Sequence, residues 1–277
     1  MVADFHNKTV IITGASKGVG KACTERFAAL GARLVLVARG KKALKAVAES
    51  LGPGRDVVSV AMDVADTNDC ADLFRKAEFE FGAVHVLINN AGFHERGAVE
   101  KLDADAMAQM VDVNLKAPIV LTRMALPYLR AAGGGAIVNV ASLAGCTPVA
   151  GAATYSATKF GLRAFTQSLA DELRGSGIHV GAVSPGPIDT GFIMSDIDSV
   201  SDITFSQPMS SAEQVADAVV RIARGERAEI KMPAVSGPLT TLSYLFPALR
   251  RALKPMLDKK GRKAKEFYRR RAAETER

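Results

Sequence analysis

Ser142, Tyr155 and Lys159 supply a hydroxyl, a phenol and an ammonium group within one short stretch of the chain. The apolar spacing of residues 152–174 predicts a helix, so Tyr155 and Lys159, four residues apart, lie on one helix face. A phenol has a pKa of about 10, and a neighbouring ammonium group stabilises its phenolate. The three side chains can therefore exchange a proton with an alcohol or a carbonyl. For the Tyr–Lys pair alone, a partly exposed helix face without chemistry is the alternative interpretation.

The composition is that of a folded, globular chain. Of its 277 residues, 48% are hydrophobic and 6% aromatic, which predicts one large domain or one domain with an appendage. The cysteines Cys23, Cys70 and Cys146 are widely spaced and form no CxxC pair, which is typical of a reduced, cytoplasmic compartment. The N-terminus lacks the basic-then-apolar order of a signal peptide. For Cys146, which lies near Ser142, a buried packing role is the simpler interpretation.

The positive charge is concentrated at the end of the chain. The net charge is +7, but residues 250–277 carry +8, which leaves −1 for residues 1–249. We therefore expect a nearly neutral catalytic domain over residues 1–233 and a basic amphipathic tail over residues 234–277. The histidines show no metal-ligand grouping, so the sequence predicts no metal site.

Short apolar, β-branched runs alternate with longer stretches of helical periodicity. This alternation predicts an α/β protein with a doubly wound (Rossmann) parallel seven-stranded sheet and helices on both faces, followed by a basic helical C-terminal tail. Ligands of such sheets bind beyond the carboxyl ends of the strands. The predicted strands are residues 9–13, 33–38, 57–62, 84–89, 136–141, 179–184 and 228–232.

A glycine-rich stretch, TGASKGVG, follows the first predicted strand and contains Gly14, Gly18 and Gly20. Glycines at such a point allow a tight turn and a close approach of the backbone to a pyrophosphate, while the next helix presents its N-terminus. The spacing is GxxxGxG, and an ordinary glycine-rich turn is the alternative. The stretch predicts a dinucleotide site.

The second predicted strand ends at Ala38-Arg39, where an NAD site usually presents an acidic group to the ribose. Arg39 inverts that charge, and Lys17 in the glycine loop adds a second cation. A guanidinium group can bind a 2′-phosphate with two hydrogen bonds. The sequence therefore predicts NADP(H), and two solvated cations are the alternative.

Several motifs now stand in a fixed order: TGASKGVG, Asn89-Asn90-Ala91-Gly92, Asn114, Ser142, Tyr155-x-x-x-Lys159 and Pro185-Gly186. In these motifs the sequence resembles the short-chain dehydrogenase/reductase family, in its compact single-domain branch, over roughly residues 8–233. The resemblance implies that Tyr155 is the general acid or base and that Ser142 holds the substrate oxygen. It also implies that Lys159 lowers the Tyr155 pKa and binds the nicotinamide ribose, and that Asn114 holds a water linking Lys159 to solvent.

The motifs and the resemblance together give a set of cofactor residues. Asp63 would bind the adenine, with a helix cap as the alternative, and Asn89 would line the cleft, with a strand-end turn as the alternative. Residues 185–190 would close over the nicotinamide carboxamide. The predicted NADP(H) residues are Gly14, Ser16, Lys17, Gly18, Val19, Gly20, Arg39, Asp63, Val64, Asn89, Ala91, Gly92, Tyr155, Lys159, Pro185, Gly186, Ile188 and Thr190.

The predicted substrate wall comes from segments that follow the strand ends, and much of it is apolar. It favours an apolar ketone or secondary alcohol as substrate. Packing beneath a lid is an equal alternative for residues 192–209, and a surface-loop position is the alternative for His94. The predicted lining residues are Phe93, His94, Leu143, Val149, Phe192 and Met194.

The tail is predicted to form two short amphipathic segments that begin at Pro247 and Pro255. Packing on the body or on a neighbouring subunit is the favoured role. An interfacial helix on anionic lipid, giving peripheral membrane contact, is the second, and nucleic-acid binding is the least favoured. Residues 232–249 lack charge, but their prolines argue against a membrane-spanning helix.

The sequence thus predicts a cytoplasmic NADP(H)-dependent carbonyl reductase or alcohol dehydrogenase. The alternative is a non-catalytic protein that uses NADP(H) occupancy as a redox signal. The resemblance further implies a homodimer or homotetramer, assembled through the long predicted helices near residues 104–129 and 152–174.

Overall fold

Seven short strands form one parallel sheet in the computed structural model, which describes residues 2, 4–194 and 196–275. Helices cover the inner strands, which is why those strands are apolar in most positions, whereas the two edge strands are half-buried. The strands are β1 (Thr9–Thr13), β2 (Arg33–Ala38), β3 (Val57–Ala61), β4 (Val86–Asn89), β5 (Gly135–Val140), β6 (Ile178–Pro185) and β7 (Glu229–Met232).

The strand order is β3-β2-β1-β4-β5-β6-β7, so the direction of winding reverses between β1 and β4. This reversal opens a crevice at the carboxyl ends of the central strands, where doubly wound folds bind their ligands. The fold predicted from the sequence is confirmed, and the strand ends differ by two residues at most. The largest difference is at the start of β4, where the Thr9 amide donates to the side chain of His85, at Nδ1.

Helices cover both faces of the sheet and bury two apolar cores. On one face Phe27, Leu44 and Val219 are fully buried, and on the other Phe74 and Leu121 occupy equivalent depths. The helices of the body are α1 (Gly18–Ala29), α2 (Lys41–Ser50), α3 (Thr67–Phe81), α4 (Ala104–Val111), α5 (Ala117–Ala131), α6 (Ala153–Glu172), α7 (Gly191–Met194) and α8 (Ala212–Ala223).

A π-helical segment, Asp112–Lys116, joins α4 to α5 within one continuous helical run. The sequence predicted uninterrupted periodicity here, so the widened turn is a correction of detail. The segment contains Asn114, which is completely buried. Such local widening of a helix is frequent at functional sites.

The tail forms two helices, α9 (Ser236–Leu245) and α10 (Pro247–Thr275). Pro247 begins α10 as predicted, but the prediction that Pro255 begins a separate helix was wrong. Pro255 lies inside α10, although its ring removes a backbone hydrogen bond. Contacts of the later turns of α10 with the body favour a continuous helix. Within the described residues, no helix is both long and apolar enough to cross a membrane.

Candidate active site

Ser142, Tyr155 and Lys159 meet where the carboxyl end of β5 faces α6. Ser142 Oγ accepts a hydrogen bond from the Ala144 amide at 3.1 Å and donates to the Pro185 carbonyl oxygen at 3.4 Å. Lys159 is buried, and its Nζ donates to the carbonyl oxygen of Val140, the last residue of β5, at 2.9 Å. The predicted spacing therefore brings the hydroxyl and the ammonium group to the same strand end.

Gly145 explains how the turn after Ser142 comes so close to α6. A Cβ atom at this position would lie 2.6 Å from the carbonyl oxygen of Lys159. Only a residue without a side chain fits there, because real Cβ atoms do not approach an oxygen so closely. Gly145 thus fixes the distance between the Ser142 turn and the helix that carries Tyr155 and Lys159.

Asn114 ties the π-helical segment to the loop after β4. Its Nδ2 donates to the Phe93 carbonyl oxygen at 2.8 Å, and its Oδ1 accepts from the Phe93 amide at 3.0 Å. A Cβ on Gly92 would lie 2.9 Å from Asn114 Oδ1 and 3.7 Å from Lys159 Nζ. Asn114, Gly92 and Lys159 are therefore neighbours at one edge of the crevice.

Burial dominates the electrostatics of the pair on α6. It lowers the pKa of Lys159 to about 8 from 10.5, because the ammonium group is removed from water. Burial also raises the pKa of Tyr155, while a hydrogen bond with Ser142 and the positive charge of Arg96 act in the opposite direction. The expected lowering of the Tyr155 pKa by Lys159 does not govern this state, in which Lys159 Nζ lies 5.7 Å from the phenol ring centroid.

The glycine loop between β1 and α1 is closed so tightly that side chains would not fit. Gly14 has φ +66°, and a Cβ on Gly20 would collide with the Gly14 carbonyl oxygen. Asn90 Nδ2 donates to the carbonyl oxygens of Thr13 and Gly14 at 2.9 and 3.3 Å. Asn90 was quoted in the motif but was not predicted as a site residue, and it holds the loop in shape.

The segment after β6 forms the facing wall of the crevice. A Cβ on Gly18 would lie 3.7 Å from Thr190 Cβ, so the glycine loop and this segment stand opposite each other. The Gly186 amide donates to the Met232 carbonyl oxygen at 2.7 Å, and Ile188 forms a bridge with Ser210. The predicted residues Ser16 and Val19 lie on the loop side of the gap, half-buried. The two walls, close in backbone and poor in side chains, fit an extended dinucleotide.

Two exposed cations stand near the ends of β1 and β2. Arg39 is largely exposed, and its Nη1 lies 4.0 Å from Asp63 Oδ2, while Lys17 is exposed at the start of α1. Asp63 accepts a hydrogen bond from the Ala65 amide at 3.0 Å, but the cap of α3 is Asp66. The helix-cap alternative for Asp63 is therefore wrong, and its carboxylate lies near Arg39.

Two predicted cofactor residues point their side chains into the core. Asn89 is buried, and its Nδ2 donates to Asn139 Oδ1 at 2.8 Å and to Thr122 Oγ1 at 3.2 Å. This amide joins β4, β5 and α5 in a buried polar network. Val64 is also buried, in the apolar core beneath α3. Any contact of these two residues with a cofactor must come from the backbone, whereas Ala91 is half-buried beside Gly14.

Aromatic rings surround Tyr155 on the substrate side. The His94 ring stacks on the phenol with centroids 4.1 Å apart, and the Phe192 ring lies 6.4 Å away. His94 is therefore not a surface-loop residue. Its Nε2 is buried without a hydrogen-bond partner among the described residues, and burial together with Arg96 and Lys159 lowers the His94 pKa to about 3.

Arg96 is the functional candidate that sequence reasoning missed. Its Nη2 donates to the Phe192 carbonyl oxygen at 2.7 Å, and its guanidinium carbon lies 5.4 Å from the Phe192 ring centroid. Within the described residues, no carboxylate lies in ion-pair distance of it. The only sequence signal was its place two residues after His94, in the loop that follows β4.

The remaining predicted lining residues divide between the site and the packing around it. Leu143 is buried, and its Cδ1 would lie 3.2 Å from a Cβ on Gly186, whereas Val149 is half-buried in the turn before α6. Phe93 packs on the core, and Met194 packs with Ile193 and Phe205 in a separate apolar cluster. For Met194 the lid-packing alternative therefore holds.

The cysteines and acidic groups of the described residues add no second centre. No group of three or more His, Cys, Asp or Glu in that part of the chain is arranged to bind a metal ion. Cys23, Cys70 and Cys146 are free and buried. Burial raises the pKa of the Cys146 thiol, which agrees with the packing interpretation.

Comparison with known proteins shows the family to which the chain belongs. A family model described as short chain dehydrogenase matches residues 8–200. The chain belongs to the short-chain dehydrogenase family. The match ends at residue 200, so it does not include the tail.

Relatives and solved structures of this family differ in the substrates and ligands they name. The chain is 34% identical to cis-4-hydroxycyclohexanecarboxylate dehydrogenase of Sinomonas cyclohexanicum, over 79% of this chain and 90% of the relative. It is 33% identical to the ketoacyl reductase HetN of Nostoc sp., over 80% of this chain and 77% of the relative. A metagenomic short-chain oxidoreductase crystallised with NADP is 31% identical, with a TM-score of 0.70, and the match covers 82% of this chain and 97% of that one.

Proposed function

We propose that this oxidoreductase uses NADP(H) to interconvert an apolar ketone and the corresponding secondary alcohol, with Tyr155 as the general acid or base. The observation that carries the proposal is the convergence of Ser142, Tyr155, Lys159 and Asn114 at the carboxyl ends of the central strands, beside a side-chain-poor crevice. When bound there, the nicotinamide would supply or accept the hydride.

The chain's own residues provide the proton and the positioning. Ser142 Oγ would hold the substrate oxygen, and the Tyr155 hydroxyl would donate its proton to that oxygen in the direction of reduction. Lys159 would stabilise the resulting phenolate and bind the nicotinamide ribose, while Asn114 would hold a water for reprotonation. His94 and Phe192 would exclude bulk water from the proton transfer because their rings flank the phenol.

The cations at the adenosine end support a preference for NADP(H). Arg39 and Lys17 are exposed, and the only carboxylate that approaches Arg39 within the described residues is Asp63, at 4.0 Å. A phosphate group on the ribose would give the guanidinium a stronger partner than this distant carboxylate. The related structure with bound NADP is consistent with the same preference.

The proposed substrate class is tested by a panel of ketones and alcohols, with turnover followed by the absorbance of reduced nicotinamide. Because Arg96 is a cation beside Phe192, the panel pairs each neutral cyclic ketone with its carboxylated analogue. It also includes a ketoacyl compound, since the names of two relatives mention a ketoacyl group and a hydroxycyclohexanecarboxylate. We expect turnover of at least one ketone with NADPH. Tight NADPH binding without turnover on the whole panel would favour the alternative, a non-catalytic redox-sensing protein.

Assembly and location are part of the same proposal. We place the protein in the cytoplasm as a homodimer or homotetramer, because its three cysteines are free thiols and its family resemblance implies an oligomer. Light scattering on the purified protein measures the mass of the assembly. A monomer at working concentrations would remove the oligomer from the proposal.

The beginning of the tail favours peripheral contact with an anionic membrane. Helix α9 reverses the usual burial pattern of a surface helix. Its small or polar residues Ser236, Gly237 and Thr240 are buried against the body, while its large apolar side chains are exposed. A monomer rarely exposes such a surface without a partner. We name it the apolar tail face; its members are Val235, Leu239, Leu242, Leu245, Phe246, Leu249, Leu253 and Met256.

The charge of the tail favours a lipid surface, and not a second copy of the chain, as the partner of the apolar tail face. Between residues 234 and 265 there are eight basic residues and one acidic residue, Asp258, which pairs with Lys254 at 2.5 Å. A symmetric contact between two such faces would bring like charges together, whereas anionic headgroups would neutralise them. The result would be an interfacial helix pair, lying on the surface of the bilayer.

Vesicle flotation tests this contact. The variant Leu239→Ser/Leu245→Ser should lose binding to vesicles that contain phosphatidylserine, while Phe79→Ser, a change at a still more exposed phenylalanine on α3, should retain it. Equal flotation of both variants, or none by the wild type, would discard the membrane contact. A change of oligomeric state in the double variant would point to a second copy instead.

A further inference from the structure

The later turns of α10 pack on the segment that covers the active site. We name residues 191–194 and 196–206 the lid segment; it lies between β6 and α8 and contains α7 and two 3₁₀ turns, Ile197–Ser199 and Asp202–Ser206. Its first part reaches the catalytic residues, because the Phe192 ring lies 6.4 Å from Tyr155 and its carbonyl oxygen accepts from Arg96. Its second part contacts the tail.

Gly261 allows α10 to approach the lid backbone directly. A Cβ at this position would collide with the Asp202 carbonyl oxygen and would lie 3.2 Å from the Ser206 amide nitrogen. The helix therefore rests on the second 3₁₀ turn without an intervening side chain. A glycine inside a helix is unfavourable for the helix itself, so its presence here is explained by the packing it permits.

Lys265, one helical turn further, is buried against the same segment. Its Nζ donates to the Val200 carbonyl oxygen at 2.6 Å and to the Asp198 carbonyl oxygen at 3.1 Å, and it lies 3.6 Å from Asp202 Oδ1. A buried ammonium group is costly unless its protons are bonded. The two carbonyl oxygens bond its protons, and the Asp202 carboxylate lies within ion-pair distance. Together these partners join both 3₁₀ turns to one point on the tail.

An apolar cluster and surface ion pairs surround this point. Ile193, Val200 and Phe205 are buried, and Ala264 and Tyr268 of α10 pack against them. At the rim, Arg262 pairs with Asp202, Arg269 with Asp198 and Arg271 with Asp189. Exposed pairs contribute little individually, so Lys265 and the apolar cluster dominate the contact.

We propose that Lys265 is a positioning residue for the reaction: it fixes the lid segment so that Phe192 covers Tyr155, which makes the C-terminal helix part of the substrate site. This inference rests on the proposed oxidoreductase function. It assigns the two halves of the tail to different tasks. The residues up to Met256 carry the apolar tail face, and those from Gly261 onward hold the lid.

The test compares Lys265→Met with Lys263→Met, a change at an exposed lysine on the same helix that makes no ion pair in the described residues. Both variants keep the helix propensity and lose one charge. We expect Lys265→Met to lower kcat/KM for a ketone roughly 10- to 100-fold, mainly through KM, because a displaced lid misplaces the substrate. The dissociation constant for NADPH should stay within about twofold of the wild-type value in both variants.

Hydrogen exchange followed by mass spectrometry supplies a readout that does not depend on turnover. Amides of residues 196–206 should exchange faster in Lys265→Met than in the wild type or in Lys263→Met, whereas amides of α6 should not change. Lys265→Arg, which keeps a cation at the site, should restore part of the kinetic loss. If Lys265→Met does not fold, Asp202→Asn is the second variant. It removes the negative charge of the carboxylate beside Lys265 Nζ, and it should change KM and the exchange of the lid amides in the same direction by a smaller amount.

The outcomes separate this proposal from the proposed function. Faster lid exchange with an unchanged KM would overturn the positioning role, and unchanged exchange would overturn the contact itself. If the wild type reduces no ketone, the oxidoreductase proposal fails and so does any role of Lys265 in its reaction. A KM effect shared equally by Lys263→Met would also overturn the proposal, because it would reflect charge alone.

Discussion

The two walls of the active site are held in different ways. The body wall carries Ser142, Tyr155 and Lys159. Ser142 and Lys159 are bonded to strand backbone within the buried body, and Tyr155 contacts the Ser142 side chain and the His94 ring. The lid wall carries Phe192 and is fixed by α10, through one buried lysine, a small apolar cluster and a rim of exposed ion pairs. In the proposed mechanism the proton transfer, which demands exact placement, takes place on the wall fixed by the body, and the wall that would admit substrate has the weaker support.

The largest expected effect comes from a substitution in the body wall that removes the proton donor and leaves cofactor binding intact. Tyr155→Phe removes the proton donor and keeps the ring that stacks on His94. We expect kcat to fall by roughly 10²- to 10⁴-fold, because that is the usual contribution of a positioned acid or base. Steady-state kinetics and a fluorescence titration with NADPH measure the two quantities. A near-normal rate would remove Tyr155 from the mechanism.

The second prediction concerns the adenosine end, far from both walls. Arg39→Ser should lower kcat/KM for NADPH relative to NADH roughly 10- to 100-fold, the value of one or two hydrogen bonds to a charged group. Lys41→Ser is the matched control, because Lys41 is an exposed cation close by on α2. It should change the ratio of kcat/KM for NADPH to that for NADH little. If NADH is preferred already by the wild type, the cofactor assignment is wrong.

The third prediction uses the cost of burying Lys159. Its pKa in the folded protein, about 8, lies below the value of 10.5 for an exposed lysine, so between these pH values the unfolded chain binds more protons. Lys159 therefore destabilises the fold below pH 8, by roughly 3 kcal/mol, and this cost disappears as the pH rises through that window.

Lys159→Met should accordingly be inactive but more stable at pH 7, by about 1–3 kcal/mol once the lost hydrogen bond to Val140 is allowed for. Denaturant unfolding at pH 7 and at pH 10 measures the difference, which should shrink at the higher pH. A variant that is less stable at pH 7, with the same deficit at pH 10, would show that the buried ammonium group carries no such cost.

The body wall was predictable from sequence because its information is local. The Tyr155–Lys159 spacing follows from one helical turn, and the strand runs and the glycine loop follow from patterns a few residues long. The seven-stranded sheet follows from the alternation of these runs. The π-helical turn at Asn114 was not predictable, because it depends on how that helix packs beside the loop after β4.

Phe192 was predicted as a lining residue, but the contacts that hold the lid wall were not predictable, because its partners are distant along the chain. Arg96 and Phe192 are separated by 96 residues, and Lys265 and Val200 by 65. Nothing in the sequence of the basic tail indicates which of its lysines will be buried. The proline at position 255 wrongly indicated a break in the helix. Likewise, Asn89 sits in a cofactor motif, yet its side chain serves the core.

The central claim is that this site transfers hydride to a substrate carbonyl. It is tested most directly with NADPH deuterated on the transferred face of nicotinamide C4, a ketone that the wild type reduces, and mass spectrometry of the alcohol. The account predicts one deuterium on the carbinol carbon with wild-type protein, and roughly 10²- to 10⁴-fold less of this labelled alcohol in the same time with Tyr155→Phe. An unlabelled alcohol, or equal amounts of labelled alcohol from both proteins, would contradict it.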